Sequence, residues 1–347
     1  MSTTRQKESG RLGAGMLASA VVGAGVAAGT LMEGRDRRAV LADPQHAELA
    51  RAPQGRPLAV GAPDGTTLHA EVFGPDDAPT VVLAHGWLCT GRVWHHQLRA
   101  LTGDLRVVAW DLRGHGKSAR AATGDYSTAA LAGDLAAVID RTVPAGQQAV
   151  VVGHSMGAMV MVAWADAHPE QARATLAGAV LVNTGVEQLV GRSRIFAGPA
   201  ALSTAREAVG RRVLGWAAPW PSHPRPLVSR LVAAAVLGPD ASPAQVDFCT
   251  RMVMDVPAEV RGAFGATLAS FDLAHGLEAL TVPTVVIAGE HDRLTPPVHA
   301  RAMAEVLPRA TLVELPTVGH MAPLESSAEV TGAIRVVADL VLRPVAG

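Results

Sequence analysis

Ala149-Val150-Val151-Val152-Gly153-His154-Ser155-Met156-Gly157-Ala158-Met159-Val160-Met161-Val162-Ala163-Trp164 is the stretch on which the reading of this chain turns. The valine run is apolar on both faces, as a strand buried in a parallel sheet must be. Met156, Met159, Val160, Ala163 and Trp164 then recur at helical spacing, and Pro169 closes the pattern. Between strand and helix lies Gly153-His154-Ser155-Met156-Gly157, a complete G-x-S-x-G. With 35 glycines in 347 residues, composition alone produces that pentapeptide in roughly one such chain in seven. Its position between a strand and a helix makes it informative, because a sharp turn there lifts the Ser155 hydroxyl out of the sheet edge. The next amide, that of Met156, then points to where an oxyanion would form.

Outward from this stretch, strands and helices alternate. Residues 57–61 and 66–73 read as a hairpin around Pro63-Asp64-Gly65, a turn signal. Further strands are expected at Thr80 to Ala84, Arg106 to Trp110, Gly178 to Val182, Pro283 to Ala288 and Thr311 to Leu315. Helices are expected at 93–102, 127–141 with Ser127 as N-cap, 298–306 and 324–342. From 186 to 278 the alternation stops, and helical patterns rich in Pro and Gly replace it. The expectation is a mostly parallel eight-stranded sheet, helices on both faces, and a helical cap inserted after the sixth strand. Ligands of such sheets lie beyond the carboxyl ends of the strands. His85-Gly86-Trp87, Ser155, Asp292 and His320 each follow a strand and so meet at one edge.

Composition narrows the function. A formal net charge of −1 gives no basis for nucleic acid or another polyanion as partner. Cys89 and Cys249 form neither a disulfide framework nor a metal-ligand spacing. No dinucleotide fingerprint, Walker loop or metal motif is present, so no cofactor is expected. The N-terminus stands apart. Leu12 to Met32 is 21 residues without a charge, flanked by Arg5, Lys7 and Arg11 and by Arg35, Arg37 and Arg38. That length can span a bilayer, and membrane association through residues 12–32 is the expectation. A cleaved signal followed by secretion, or a soluble tail, are the alternatives. Residues 33–56, with Pro44 and Pro53, read as a polar linker.

His85-Gly86-Trp87, Asp111-Leu112-Arg113-Gly114-His115-Gly116-Lys117-Ser118, the Ser155 pentapeptide, Gly289-Glu290-His291-Asp292 and Gly319-His320 together resemble the α/β-hydrolase superfamily over residues 57–345. The order serine, acid, histidine is that superfamily's order. The resemblance implies Ser155 as nucleophile, His320 as its base and Asp292 as the acid that orients the base. It also implies an oxyanion hole from the N–H groups of Trp87 and Met156. Relatives with an aspartate at the nucleophile position, the haloalkane dehalogenases and epoxide hydrolases, are disfavoured by Ser155. Asp111, Asp272 and Glu290 are rivals for the acid. Asp111 reads better as the holder of its own turn. Among the other histidines, His85 is expected to shape the oxyanion turn, His115 to be structural and His154 to pack beside the nucleophile; His291 merely neighbours the acid. Trp216, Trp220, Phe248, Met252, Met254, Phe264 and Phe271 in the inserted block line either an apolar pocket or a cap core. The implied activity is hydrolysis of a small to medium apolar carboxylic ester through an acyl-enzyme. C–C bond hydrolysis, lactone opening or cofactor-free haloperoxidase chemistry on the same residues are alternatives. A ligand receptor of this fold that does not turn over is another.

Overall fold

The computed structural model describes residues 32–195, 203–217 and 226–343. Eight strands form one sheet: β1 Arg56–Gly61, β2 Thr67–Phe73, β3 Thr80–Ala84, β4 Arg106–Trp110, β5 Ala149–His154, β6 Leu176–Val182, β7 Thr284–Gly289 and β8 Ala310–Leu315. Their spatial order is β1-β2-β4-β3-β5-β6-β7-β8. β2 pairs antiparallel with both β1 and β4, and all the other pairings are parallel. The valine runs decide this arrangement. Side chains alternate across a strand, and Val82, Ala84 and Val151 enter one core while Val81, Leu83, Val150 and Val152 enter the other. The first core is closed by helices Thr128–Thr142 and Met156–Ala167, through Leu131, Leu135, Met159 and Val160. The second is closed by His95–Leu101 and Ser327–Leu342, through Leu98, Leu101, Ile334 and Val337.

Strand order also places the site. The chain leaves β3 toward β4 on one side, then crosses back and leaves β5 toward β6 on the other. A crevice opens where neighbouring strands send their connections in opposite directions. His85-Gly86-Trp87 and Ser155 stand on its two banks, at the ends of β3 and β5.

Between β6 and β7 the described residues are helical: Leu189–Arg192, Ser203–Leu214, Pro226–Val236, Pro243–Asp255 and Ala258–Ser270. The fourth of these starts with Ser242 and Gln245 in a reciprocal cap and with Pro243 in the first turn, a combination that satisfies two otherwise orphan amides.

The N-terminal expectations fare differently. The uncharged segment lies, apart from Met32, outside the described residues, and among those residues no helix is long and apolar enough to cross a membrane. The stretch read as a polar linker is instead helical over 32–42 and again over Pro44–Leu49. Asp43 explains the second helix: its side chain accepts from Gln45 N–H, ahead of a proline that suits the first turn. The other Asp43 oxygen accepts from Ala244 N–H at 2.8 Å, and Leu49 is buried in the second core. The segment is thereby docked onto the cap.

Candidate active site

Ser155 sits at φ 51°, ψ −120° between β5 and helix Met156–Ala167. For a residue with a Cβ this is strained backbone. Gly157 permits it: a Cβ there would stand 2.2 Å from Ala84 O. The turn is held by Ser155 N–H donating to Val182 O at 2.8 Å and by Thr184 Oγ1 donating to Ser155 O at 2.9 Å. Both partners come from the end of β6, so the elbow leans on its neighbouring strand.

His320 follows β8. Its Nδ1 lies 2.8 Å from Asp292 Oδ2. With Nδ1 committed to a carboxylate, Nε2 is the nitrogen left to exchange a proton. Asp292 is fully buried. Its Oδ1 accepts from the Leu294 and Thr295 amides at 2.9 and 3.0 Å. Its Oδ2 accepts from Asn183 Nδ2 at 3.0 Å and Thr295 Oγ1 at 2.9 Å besides His320. Burial alone pushes this carboxyl's pKa up; the charge and hydrogen bond of His320, with the bonds from Thr295 and Asn183, outweigh it, and the pKa lies below its ordinary value. Asp292 therefore stays charged at neutral pH in a dry setting. The backbone of His320 is tied to the elbow, because His154 Nε2 donates to His320 O at 2.8 Å and the two rings lie 5.1 Å apart.

The turn after β3 reaches the same place. A Cβ on Gly86 would approach Ser155 Cβ to 2.9 Å, so this turn lies directly against the Ser155 side chain. Among the described residues, neither the Trp87 nor the Met156 amide donates a hydrogen bond. His85 and His115 brace the turn from beneath. Leu112 N–H donates to His85 Nε2 at 3.0 Å, and Leu88 N–H to His115 Nε2 at 3.3 Å. The opposite nitrogens face carbonyls, Gly86 O and Arg113 O. An accepting Nε2 and a donating Nδ1 make both rings neutral, and burial holds their pKa values down, to about 4 and about 3.

The rivals fall elsewhere. Asp111 accepts from the Gly91 and Lys117 amides at 2.8 and 2.9 Å and so organises its own loop. Asp272, Glu290 and His291 are exposed. Trp216 is exposed on the cap and Trp220 lies outside the described residues, whereas Phe248, Met252, Phe264 and Phe271 are buried and Met254 is partly so. Burial pushes the Cys89 thiol up to about 12, which leaves it inert as a nucleophile. Glu48, His95 and His96 place ligand atoms within 4.8 Å of one another, but Arg99 Nε already stands 3.6 Å from that Glu48 carboxylate. Residues that the sequence did not single out are Asn183, Thr295 and Glu325. The signal was their placement: Asn183 directly follows a strand, Thr295 lies three residues after Asp292, and Glu325 is a lone acid in an apolar turn.

The model of the alpha/beta hydrolase family matches residues 81–333, which contain every residue of this site. The chain belongs to that family. It is 32% identical over 256 residues to the protein of Variovorax paradoxus named "Putative carbamate hydrolase RutD", covering 73% of this chain and 89% of that one. It is 26% identical over 261 residues to the pimeloyl-(acyl-carrier protein) methyl ester esterase of Aeromonas hydrophila, covering 73% and 92%. Among solved structures it resembles a thermophilic esterase from Thermogutta terrifontis, with a TM-score of 0.65, 26% identity, and coverage of 81% of this chain and 97% of that one. Family membership agrees with the fold and with the resemblance carried by the sequence motifs.

Proposed function

We propose that this protein is a serine hydrolase that cleaves small to medium apolar carboxylic esters. The observation that carries the reading is the buried Asp292–His320 pair, tied through His154 to a positive-φ serine. Ser155 Oγ attacks the ester carbonyl carbon while His320 Nε2 takes its proton. Asp292 holds the imidazole by Nδ1 and stabilises its protonated form. The carbonyl oxygen becomes an oxyanion facing the N–H groups of Met156 and Trp87. As the tetrahedral intermediate collapses, the C–O bond to the alcohol breaks and His320 returns the proton to the departing oxygen. A water, deprotonated by His320, attacks the acyl-enzyme; the acid leaves and Ser155 recovers its proton. The apolar preference follows from the cap: Val186, Leu189, Val260 and Phe264 belong to one cluster with Met156 and Met159, against which Trp87 and Leu88 pack.

The same acyl transfer works on a carbamate carbonyl, and the name of the Variovorax relative favours that as the second reading. The proposed division of the chain is a membrane anchor at 12–32 and a catalytic domain of 57–345 with its cap inserted at about 186–278. The test of mechanism is labelling with a fluorophosphonate followed by peptide mapping. One label is expected, on Ser155, with none in Ser155→Ala and slow labelling in His320→Ala. A label elsewhere, or ester turnover by purified Ser155→Ala, would remove the serine mechanism. Turnover of matched ester and carbamate substrates separates the two readings.

A further inference from the structure

We infer that Glu325 is a positioning residue for His320, whose carboxylate clasps the loop carrying the base to the end of cap helix Pro226–Val236. This rests on the reading of Ser155, His320 and Asp292 given above. Glu325 ends the one-turn helix Ala322–Glu325, five residues past His320. Its Oε2 accepts from Gly238 N–H at 2.6 Å and from Gly319 N–H at 3.0 Å. Its Oε1 accepts from Met321 N–H at 2.9 Å. The amide between the last two, that of His320 itself, donates to Val236 O at 2.8 Å. Three consecutive amides around the base are thus held, two by Glu325 and one by the cap.

The two backbones touch without side chains between them. A Cβ on Gly238 would stand 2.0 Å from Thr317 O, and one on Gly319 would stand 2.4 Å from Gly238 N. Movement at the end of the cap helix is therefore felt at the His320 amide directly. Side-chain chemistry explains why an acid is needed. A carboxylate is acceptor-only, with about four lone-pair sites, and can serve three amides at once. Glutamine offers one oxygen, and its NH2 would confront an amide hydrogen. The group is costly to place: burial raises its pKa, and the bonds from Gly238, Gly319 and Met321 together with the charge of His320 work against that rise. An acid holding only its own turn would bond within its helix. Here every donor flanks the base or belongs to the cap.

The test uses the full-length protein. Glu325→Gln and Glu325→Asp are compared with wild type by fluorophosphonate labelling, with stoichiometry and rate read separately, and by turnover of p-nitrophenyl esters. For Glu325→Gln the expected result is full stoichiometry with labelling rate and kcat both lowered about 10- to 100-fold, a part of what a well-placed base supplies, and KM nearly unchanged. Glu325→Asp keeps the charge and should lose less. A wild-type rate in Glu325→Gln, or a loss seen only as lower stoichiometry at normal rate, overturns the clasp. Absence of a Ser155 label in wild type would instead remove the serine mechanism. Amide exchange in wild type tests the clasp without reference to activity and serves also if Glu325→Gln does not fold. The Gly238, Gly319 and Met321 amides should exchange at a common rate. Gly238 exchanging more than about tenfold faster than the other two would show that the cap opens separately from the base loop, against the inference.

Discussion

Mild acid should unfold this protein from its interior, and the proton uptake can be worked out in advance. His85, His95, His115, His154 and His299 are all at most 2% exposed. Burial lowers each pKa from 6.5, to about 4 for His85, His95 and His299 and about 3 for His115 and His154. For His85 and His115 the cause has a geometric face as well, since a proton on either Nε2 would meet the amide hydrogen of Leu112 or Leu88. The folded pKa is below the unfolded one, so the unfolded chain binds more protons from about pH 6.5 down to about 4, and to about 3 for His115 and His154. Stability is complete above that window and falls as pH drops through it. At pH 5 the difference is about 2 kcal/mol per histidine, or about 10 kcal/mol for the five. Domains are stable by about 5–15 kcal/mol in all, so acid unfolding is expected near pH 5. The assay is urea unfolding followed by circular dichroism from pH 8 to pH 5, with the m-value checked for constancy. The pH slope near pH 5 should approach five protons, and His115→Gln should reduce it by about one. A slope of less than two protons would refute the claim that these rings are buried neutral.

The acid can be tested by contrast. Asp292→Asn should lower turnover per folded molecule by about 10³- to 10⁴-fold, because the imidazole loses its orienting charge, besides the stability lost where the new NH2 faces Asn183 and Thr295. Asp111→Asn should cost about 1–3 kcal/mol of stability, through the Gly91 and Lys117 amides, and leave turnover per folded molecule nearly unchanged; the opposite pattern would move the role to Asp111. For the anchor, full-length protein should sediment with membranes and resist carbonate extraction. Deleting residues 1–31 should release it with ester hydrolysis retained. Deleting residues 1–45 also removes Asp43, whose cap on Ala244 should be missed by about 1 kcal/mol. Uncleaved full-length protein in the soluble fraction would end the anchor hypothesis.

Much of the sheet was legible because a doubly covered strand cannot hide: Thr80–Ala84 is buried throughout, and its sequence is apolar accordingly. Ser155 and Asp292 were legible as candidates because each follows such a strand, β5 and β7 being buried throughout. His320 follows the edge strand β8, of which only Leu315 is buried, and its signal is Gly319-His320 after the last strand. What escaped acts through tertiary contact. Asn183 reaches Asp292 across 109 residues of chain and Glu325 reaches Gly238 across 87; a lone polar side chain carries no periodicity that would announce either bond. The Pro44–Leu49 helix escaped for another reason. Asp43-Pro44 is a helix start, but the nearby prolines made the whole stretch read as linker, and its docking partner at Ala244 lies 201 residues away. Trp216 shows the converse limit, since an aromatic residue in the cap sequence does not by itself specify burial.

The cap meets the carboxyl-end edge of the sheet on both sides of the proposed reaction. On the oxyanion side, Phe264 packs edge-on against His115 with ring centroids 4.7 Å apart, and His115 accepts from Leu88 in the turn that presents Trp87. On the base side, Val236 O and Gly238 N–H engage the His320 loop directly and through Glu325. Binding energy gathered by the remote part of a substrate accelerates a reaction only where it is converted into better contacts at the transition state. A cap that merely covered the crevice would offer affinity alone. In the proposed mechanism, helices attached both to the turn that carries Trp87 and to the loop that carries His320 would give the apolar part of a substrate a mechanical route to both groups. Chain-length preference should accordingly appear in kcat as well as in KM; a preference confined to KM would count against this coupling of the cap to the Trp87 turn and the His320 loop.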